Sequence, residues 1–408
     1  MGSLSLGVMN MGTAKLKTIR ELDMKGKRVL VRVDFNVPLD DQGKVADDSR
    51  LVATLPTIRY LLEQGAGVIL MSHLGRPKGK VNDKLRLTDV ARRLGELLGV
   101  PVKKVDDCVG PAATAAAEQL QPGEVLLLEN LRFHPEEEAN DREFARQLAS
   151  LGEVYVDDAF GTAHRAHAST VGVAEFLPSA AGFLMEKEVA MLGRILTNPA
   201  HPFTAVLGGA KIADKIGVLE KLAEKVDQLL LGGGMANTFL RAEGNPLGDS
   251  LVDDSHLEFA RDFIQRARSR GVIVELPVDL VVAPASRSGK QPETRVVAPG
   301  DVPAGWQALD IGPQTTERFK QAIAASKTVF WNGPLGLVEE PAFARGSEAV
   351  ARAIARPGLI SVVGGGDSLA LLEKVGVSGQ VTHASTGGGA SLEFLEGREL
   401  PGVAVLMK

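Results

Sequence analysis

The chain has 408 residues, 44% of them hydrophobic, with a formal net charge of −5 and a single cysteine, Cys108. That length exceeds what one core usually fills, so two domains are expected. The acidic balance argues against general nucleic-acid binding, one cysteine allows no internal disulfide and fits a reducing cytosol, and no apolar run approaches the ~18 residues of a membrane span.

Residues 1–14 lack the basic start of a signal peptide, and Leu6 stands where a myristoylation motif needs Ser or Thr. They read as an extension without fixed structure, with Met11 as an alternative start. Strand-like and helix-like stretches then alternate from residue 27 to about 381. Residues 27–33 are apolar and β-branched, a strand. Residues 51–64 have helical spacing, with Asp47, Asp48 and Ser49 as caps. A strand at 68–71, a helix at 87–98, an Ala-rich helix at 112–117 and a strand at 125–128 follow. One charged helix is expected over 136–151, then a strand at 154–156. Small residues at 178–182 precede a helical run, 183–196, which reads as a linker helix. A second series starts at Phe203. Alternation of this kind indicates an α/β fold with parallel sheets.

The first series ends its strands on polar side chains. Arg32 and Val33 lead into Asp34, Phe35 and Asn36. Met71 leads into Ser72, His73 and Arg76. Leu128 leads into Glu129, Asn130 and Arg132. Val156 leads into Asp157, Asp158, His164, Arg165 and His167. Parallel strands put these ends on one edge of a sheet, so the cations should converge. Such a cluster is costly unless it meets an anion, and the fork of Arg suits phosphate or carboxylate. A His/Asp metal site is a weaker reading, because His164 and His167 have no carboxylate at a metal-ligand spacing. A Ser-His-Asp site is weaker too, since no G-x-S-x-G turn occurs. Arg32 lies inside its strand and could simply pair with an acid. His134 reads as a surface residue; His201, His256 and His383 read as structural.

The second series ends its strands on glycines: Gly208-Gly209 before Lys211, Gly232-Gly233-Gly234, and Gly364-Gly365-Gly366 before Asp367 and Ser368. Each turn feeds a helical stretch. Glycines there let the backbone approach a ligand, and the helix start favours anions. Asp367 adds a carboxylate where a phosphate could share Mg²⁺. Neither a Walker A loop nor a good G-x-G-x-x-G is present, which counts against a nicotinamide-dependent oxidoreductase. The residues alone therefore indicate an anion site on one domain, a nucleotide site on the other, and phosphoryl transfer between them. They do not identify the anion.

At these residues the chain resembles the phosphoglycerate kinase family. The match spans residues 17–408 and follows the family's motifs in order: Arg32 to Pro38, Ser72 to Pro77, Glu129 to Phe133, Asp158 to His167, Gly208 to Lys215, Trp331 to Gly336, Gly364 to Ser368 and Ser385 to Glu393. The resemblance implies two doubly wound, Rossmann-like parallel-sheet domains joined by a hinge and the linker helix. The expected boundaries are 1–182 for the phosphoglycerate domain and 183–397 for linker and nucleotide domain, with residues 398–408 packing back on the first. It implies Mg-dependent exchange between 1,3-bisphosphoglycerate with ADP and 3-phosphoglycerate with ATP, by a cytoplasmic monomer with no nucleic-acid or membrane partner. Asp34, Asn36, Arg50, His73, Arg76, Arg132, His164, Arg165 and His167 would bind the glycerate. Arg50, Lys211, Gly365 and Gly366 would stabilise the transferring group. Gly208, Gly209, Lys211, Lys215, Gly232, Gly233, Asn332, Pro334, Glu339, Gly364, Gly365, Gly366, Asp367 and Ser368 would hold the nucleotide, with Asp367 on the metal. A scaffold that kept only the fold would not need Arg50, Lys211 and Asp367 together.

Overall fold

The computed structural model describes residues 15–289 and 291–407, so the expected N-terminal extension lies outside the described residues. Contacts divide the chain into two compact units, one reaching Ala190 and taking in the chain from Arg398, the other spanning Met191–Gly397.

The first unit is built on β1 (Arg28–Arg32), β2 (Gly67–Met71), β3 (Val102–Lys104), β4 (Val125–Leu127), β5 (Val154–Asp157) and β6 (Ser179–Ala181). They form one sheet in the order β3-β4-β2-β1-β5-β6, every pair parallel. Helices α1 (Ser49–Glu63), α2 (Thr88–Leu98), α3 (Pro111–Gln119), α4 (Pro135–Glu138) and α5 (Arg142–Ala149) connect them. Strand β2 is buried along its whole length, as a parallel strand covered on both faces must be. Its Val68 and Leu70 join Val29, Val31, Leu55 and Ile58 in one core.

The single helix expected over 136–151 is two helices. Asn140 takes a positive φ of 50°, which ends α4, and the Asp141 side chain accepts the Phe144 N–H at 2.8 Å to start α5. The unit division lies within α6 (Phe183–Thr197), later than residue 182. The cause is local. Phe183 N–H donates to Thr57 Oγ1 at 3.0 Å, and the N–H groups of Leu184 and Met185 donate to Asp158 Oδ1. At the other end of the unit, Gly402 N–H donates to the Ala163 carbonyl and Lys17 N–H to that of Leu406.

The second unit has a parallel sheet in the order β15-β14-β13-β7-β8-β9, from β7 (Phe203–Leu207), β8 (Gln228–Leu231), β9 (Ile273–Glu275), β13 (Thr328–Asn332), β14 (Ile360–Gly364) and β15 (His383–Ala384). Its crossovers include α7 (Ile216–Ala223), α8 (Gly233–Ala242), α9 (Leu257–Ser269), α10 (Pro313–Ala324), α11 (Arg345–Ile354) and α12 (Gly366–Lys374). A separate antiparallel sheet, β11-β10-β12, joins β10 (Leu280–Pro284), β11 (Arg295–Val297) and β12 (Trp306–Ile311); the sequence reading did not anticipate it.

Helix α10 opens after Gly312, where Asp279 satisfies its first turn. Asp279 Oδ2 accepts the Gln314 N–H at 2.9 Å, and Oδ1 accepts the Thr315 N–H at 2.8 Å and hydroxyl at 2.6 Å. Asp279 is itself buried, so truncation leaves donors with no water to replace it. Asp279→Ala is expected to destabilise the chain by about 1–3 kcal/mol. Urea unfolding measures this, and an unchanged midpoint would show that the cap carries no stability.

Candidate functional site

In the first unit the chain winds outward on both sides of β1, which pairs with β2 and β5. A crevice at such a switch point, beyond the carboxyl ends of the strands, is where α/β sheets bind ligands. The polar strand ends meet there. Arg50, in the first turn of α1, donates from NH1 to Asp34 Oδ1 at 3.1 Å and to the Asn36 carbonyl at 2.9 Å. Asn36 Oδ1 accepts the Gly75 N–H at 2.9 Å, tying the β1 end to the β2 end. Asn130 Oδ1 accepts from Leu74 and Arg132, which ties in the β4 end.

Arg32 and His73 are the buried base of the cluster. Arg32 NH2 lies 3.2 Å from His73 Nδ1, and its Nε donates to Ser169 Oγ at 2.8 Å. Ser169 donates on to Glu137 Oε2 at 2.6 Å, and Tyr155 OH donates to the Ser169 carbonyl at 2.8 Å. Since a guanidinium only donates, His73 Nδ1 accepts and its proton sits on Nε2. Burial, then the charges of Arg32, Arg132, Arg50 and His167, hold the His73 pKa well below its usual value. The same causes, burial first and then Arg132, Arg32, Arg165 and His164, bring His167 down to about 4. Arg132 is lowered as well, by burial and then by Arg32. Arg132 Nε and His167 Nδ1 are buried without a hydrogen-bond partner. Groups that depress one another this way share a positive potential that Glu137 and Glu138 offset only in part, and an anion relieves the rest.

The cluster thus brings together Asp34, Asn36, Arg50, His73, Arg132, His164, Arg165 and His167. Arg76 is exposed and stands outside these hydrogen bonds. Arg32 belongs to the network through Ser169 and Glu137, a role the sequence reading left open. Of the histidines set aside, His134 bonds Asp107, His201 bonds Asp227 and His256 bonds Asp253, each at 2.7 Å.

In the second unit the switch point lies between β7 and β13. Gly208 N–H donates to the Asn332 carbonyl at 3.0 Å and Gly209 N–H to that of Pro334 at 2.9 Å. A Cβ on Gly208 would run into the Pro334 carbonyl, so only glycine permits this approach. Gly365 has φ +92° at the start of α12. Ser368 Oγ accepts the Gly333 N–H at 2.9 Å, and the buried Trp331 donates from its indole to the Gly333 carbonyl at 2.8 Å. Lys215 touches Asn332 Oδ1, and burial brings its pKa down to about 8 against the pull of Asp214.

A cavity opens beside these turns. Gly209, Gly233, Pro334, Glu339 and Asp367 line it, with Leu309 and Leu337 as apolar wall. Lys211, Lys215, Asn332, Ser368 and Gly364 to Gly366 are not among its lining residues. Asp310 is, and the sequence reading missed it. It accepts the Gly346 N–H at 3.0 Å and that of Ile311 at 2.8 Å, and burial pushes its pKa up to about 8. Only a polar residue in the apolar tail of β12 could have signalled it.

The phosphoglycerate kinase family model matches residues 19–398. The chain belongs to the phosphoglycerate kinase family. A phosphoglycerate kinase of Moorella thermoacetica is 60% identical over 393 residues, 96% of this chain and 99% of that one. One of Pelotomaculum thermopropionicum is 58% identical over 391 residues, with the same coverage. Among solved structures, phosphoglycerate kinase from Coxiella burnetii aligns with a TM-score of 0.86 at 41% identity, covering 96% of this chain and 99% of its own. That from Pyrococcus horikoshii aligns with a TM-score of 0.84 at 35% identity, covering 96% and 98%. Like its family, the chain is a phosphotransferase with two parallel-sheet α/β domains.

The β5 end that carries His164 to His167 starts with two fully buried acids. Burial raises Asp157 to about 7 and Asp158 to about 6. The folded state therefore holds protons that the unfolded chain loses near the ordinary carboxylate pKa. Their stabilisation is complete below about pH 4 and is lost as pH rises through about 6 to 7. Asp157→Asn should remove its share of that loss. Measured by urea unfolding, the variant should gain on the wild type by on the order of 4 kcal/mol between about pH 4 and 8. A difference independent of pH would mean that Asp157 does not hold its proton in the fold.

Proposed function

We propose that the chain exchanges a phosphoryl group between 1,3-bisphosphoglycerate and ADP, yielding 3-phosphoglycerate and ATP, with one substrate on each unit. Asp34, Asn36, Arg50, His73, Arg76, Arg132, His164, Arg165 and His167 hold the phosphoglycerate. Gly208, Gly209, Gly232, Gly233, Lys211, Lys215, Asn332, Pro334, Glu339, Gly364 and Ser368 serve the nucleotide, Glu339 at the ribose. The observation that carries this reading is the segregation of chemistry: arginines that, with burial, hold their neighbouring histidines neutral at one sheet's carboxyl edge, and a glycine-walled cavity lined by Asp310, Glu339 and Asp367 at the other's.

The family's metal fits this second site. Asp367 is exposed in the first turn of α12 and lines the cavity. One carboxylate beside phosphate oxygens suits Mg²⁺, which keeps several waters. When bound, the ion would neutralise charge on the phosphates.

The mechanism needs little covalent help from the protein. In the ATP-consuming direction the nucleophile is a carboxylate, ionised near neutral pH, so no general base is required. Catalysis reduces to positioning and charge stabilisation. Arg50 and Lys211 supply positive charge to the transferring group, and the N–H groups of Gly365 and Gly366 supply aligned dipoles. Arg50 is held for this by Asp34 and by the Asn36 carbonyl. His73 and His167, neutral in the free protein, gain protons more easily once an anion arrives.

Two substitutions separate these roles. Arg50→Ala is expected to lower kcat by about 10³–10⁵ with little change in KM, because its charge acts mainly in the transition state. Asp367→Ala is expected to weaken Mg-nucleotide binding while leaving 3-phosphoglycerate binding intact. Coupled assays and calorimetry with each ligand decide. A raised KM at constant kcat would demote Arg50 to a binding group, and equal loss of both ligands in Asp367→Ala would signal damage to the fold.

In-line transfer needs reacting atoms within about 3–3.5 Å. We therefore assign a hinge closure to the ternary complex, with α6 as the linker. Small-angle scattering should show a smaller radius of gyration with both ligands than with either alone. We also propose a cytoplasmic monomer, and the same data test the monomer, whose chain mass is 43.2 kDa. An unchanged radius in the ternary complex would rule closure out.

A further inference from the structure

The loop between β3 and α3 carries Asp107 and Cys108; His134 follows the turn after β4. A ligand atom from each of these three side chains lies within 4.8 Å of the other two. His134 Nε2 sits 2.7 Å from Asp107 Oδ1, and its ring packs against Phe144 with centroids 5.3 Å apart. Asp107 Oδ1 also accepts the Cys108 N–H at 2.7 Å, which fixes the loop. Cys108 is fully buried, and its sulfur has no hydrogen-bond partner among the described residues. The side chains of Asp107 and His134 are 48% and 29% exposed, so the group opens to solvent on their side.

We propose that Asp107, Cys108 and His134 bind one divalent cation of the zinc class, with water at the fourth position. The donor set decides the class. Thiolate and imidazole are soft to borderline ligands that suit zinc, whereas magnesium demands an oxygen octahedron. Around tetrahedral zinc, such donors stand about 3.3–3.8 Å apart, so the widest pair here, within 4.8 Å, closes by roughly 1–1.5 Å, while His134 Nε2 and Asp107 Oδ1, now 2.7 Å apart, open by roughly 0.6 Å. Rotation of partly exposed Asp107 and His134 can supply that movement.

Without an ion, burial and the nearby carboxylate of Asp107 push the Cys108 pKa well above its usual value, so the thiol keeps its proton. Binding forms S–metal, N–metal and O–metal bonds. The thiol proton leaves to buffer, and a neutral His134 moves its Nε2 proton to Nδ1. The site also bears on the anion cluster. His134 follows the turn Leu131–Phe133 that carries Arg132, and the Asp107 carbonyl accepts the Glu129 N–H at 3.5 Å. An ion there braces the loop that presents Arg132.

The test uses the full chain with zinc or cobalt chloride alone, against magnesium chloride. Calorimetry should show one saturable zinc site per chain that magnesium does not occupy. Cobalt should give a near-ultraviolet thiolate charge-transfer band, which only Cys108 can supply because it is the sole cysteine. Cys108→Ser should abolish that band, and His134→Gln should weaken zinc binding at least tenfold. His134 is partly exposed, so His134→Gln decides the matter even if the buried Cys108→Ser fails to fold. No saturable zinc site, no thiolate band with cobalt, or full affinity in His134→Gln would each overturn the proposal.

Discussion

The central strands of both parallel sheets are buried on both faces, so they reach solvent only at their ends. Strands β2, β7 and β13 are buried along their whole length. Chemistry therefore has to be written into the few residues after each strand. In the first unit those residues are cationic, in the second glycine, and the sheets impose one edge on each set. The difference matches the ligand proposed for each unit. A small anion is held by side chains that reach it, whereas a larger phosphate ester needs the backbone to come close.

Concentrating positive charge in the first unit carries a cost that the interior offsets with its own anions. Arg32 is fully buried, 3.9 Å from the equally buried Glu137, with Ser169 bridging them. A buried pair of this kind adds little net stability but is expensive to break. Its effect is geometric. It holds His73 in one tautomer and so sets which ring nitrogen faces the crevice. Asp157, in register with Arg32 across β1 and β5, is pushed up to about 7 by burial, so it adds only part of a second charge near neutral pH.

The sheets, the polar strand ends and the glycine turns were legible in the sequence because each has a local signature. Apolar runs mark β1, β2, β7 and β14, and a change of residue type marks where each one ends. The break between α4 and α5 was not legible, since it depends on one Asn adopting a positive φ within an otherwise helical pattern. The antiparallel sheet escaped for another reason. Strand β11 is mostly exposed, so it lacks the apolar alternation that identifies a strand. Asp310 and the Asp107, Cys108, His134 group owe their surroundings to chain segments distant in sequence, which no local pattern announces.

The placement of aromatic residues gives the molecule a separate optical reporter for each half. Both tryptophans, Trp306 and Trp331, lie in the second unit, and both tyrosines, Tyr60 and Tyr155, lie in the first. Trp331 is sealed in the core at the end of β13, with its indole bonded to the Gly333 carbonyl one residue from Pro334 in the cavity wall. Its emission therefore registers the polarity and packing of the glycine turns. Trp306 sits under the Arg295 guanidinium at 4.3 Å, on the antiparallel sheet. Tyrosine absorption follows the first unit instead, through Tyr155 beneath the Arg32 network. Light of two wavelengths can thus follow the melting of each unit in the unlabelled, unaltered chain.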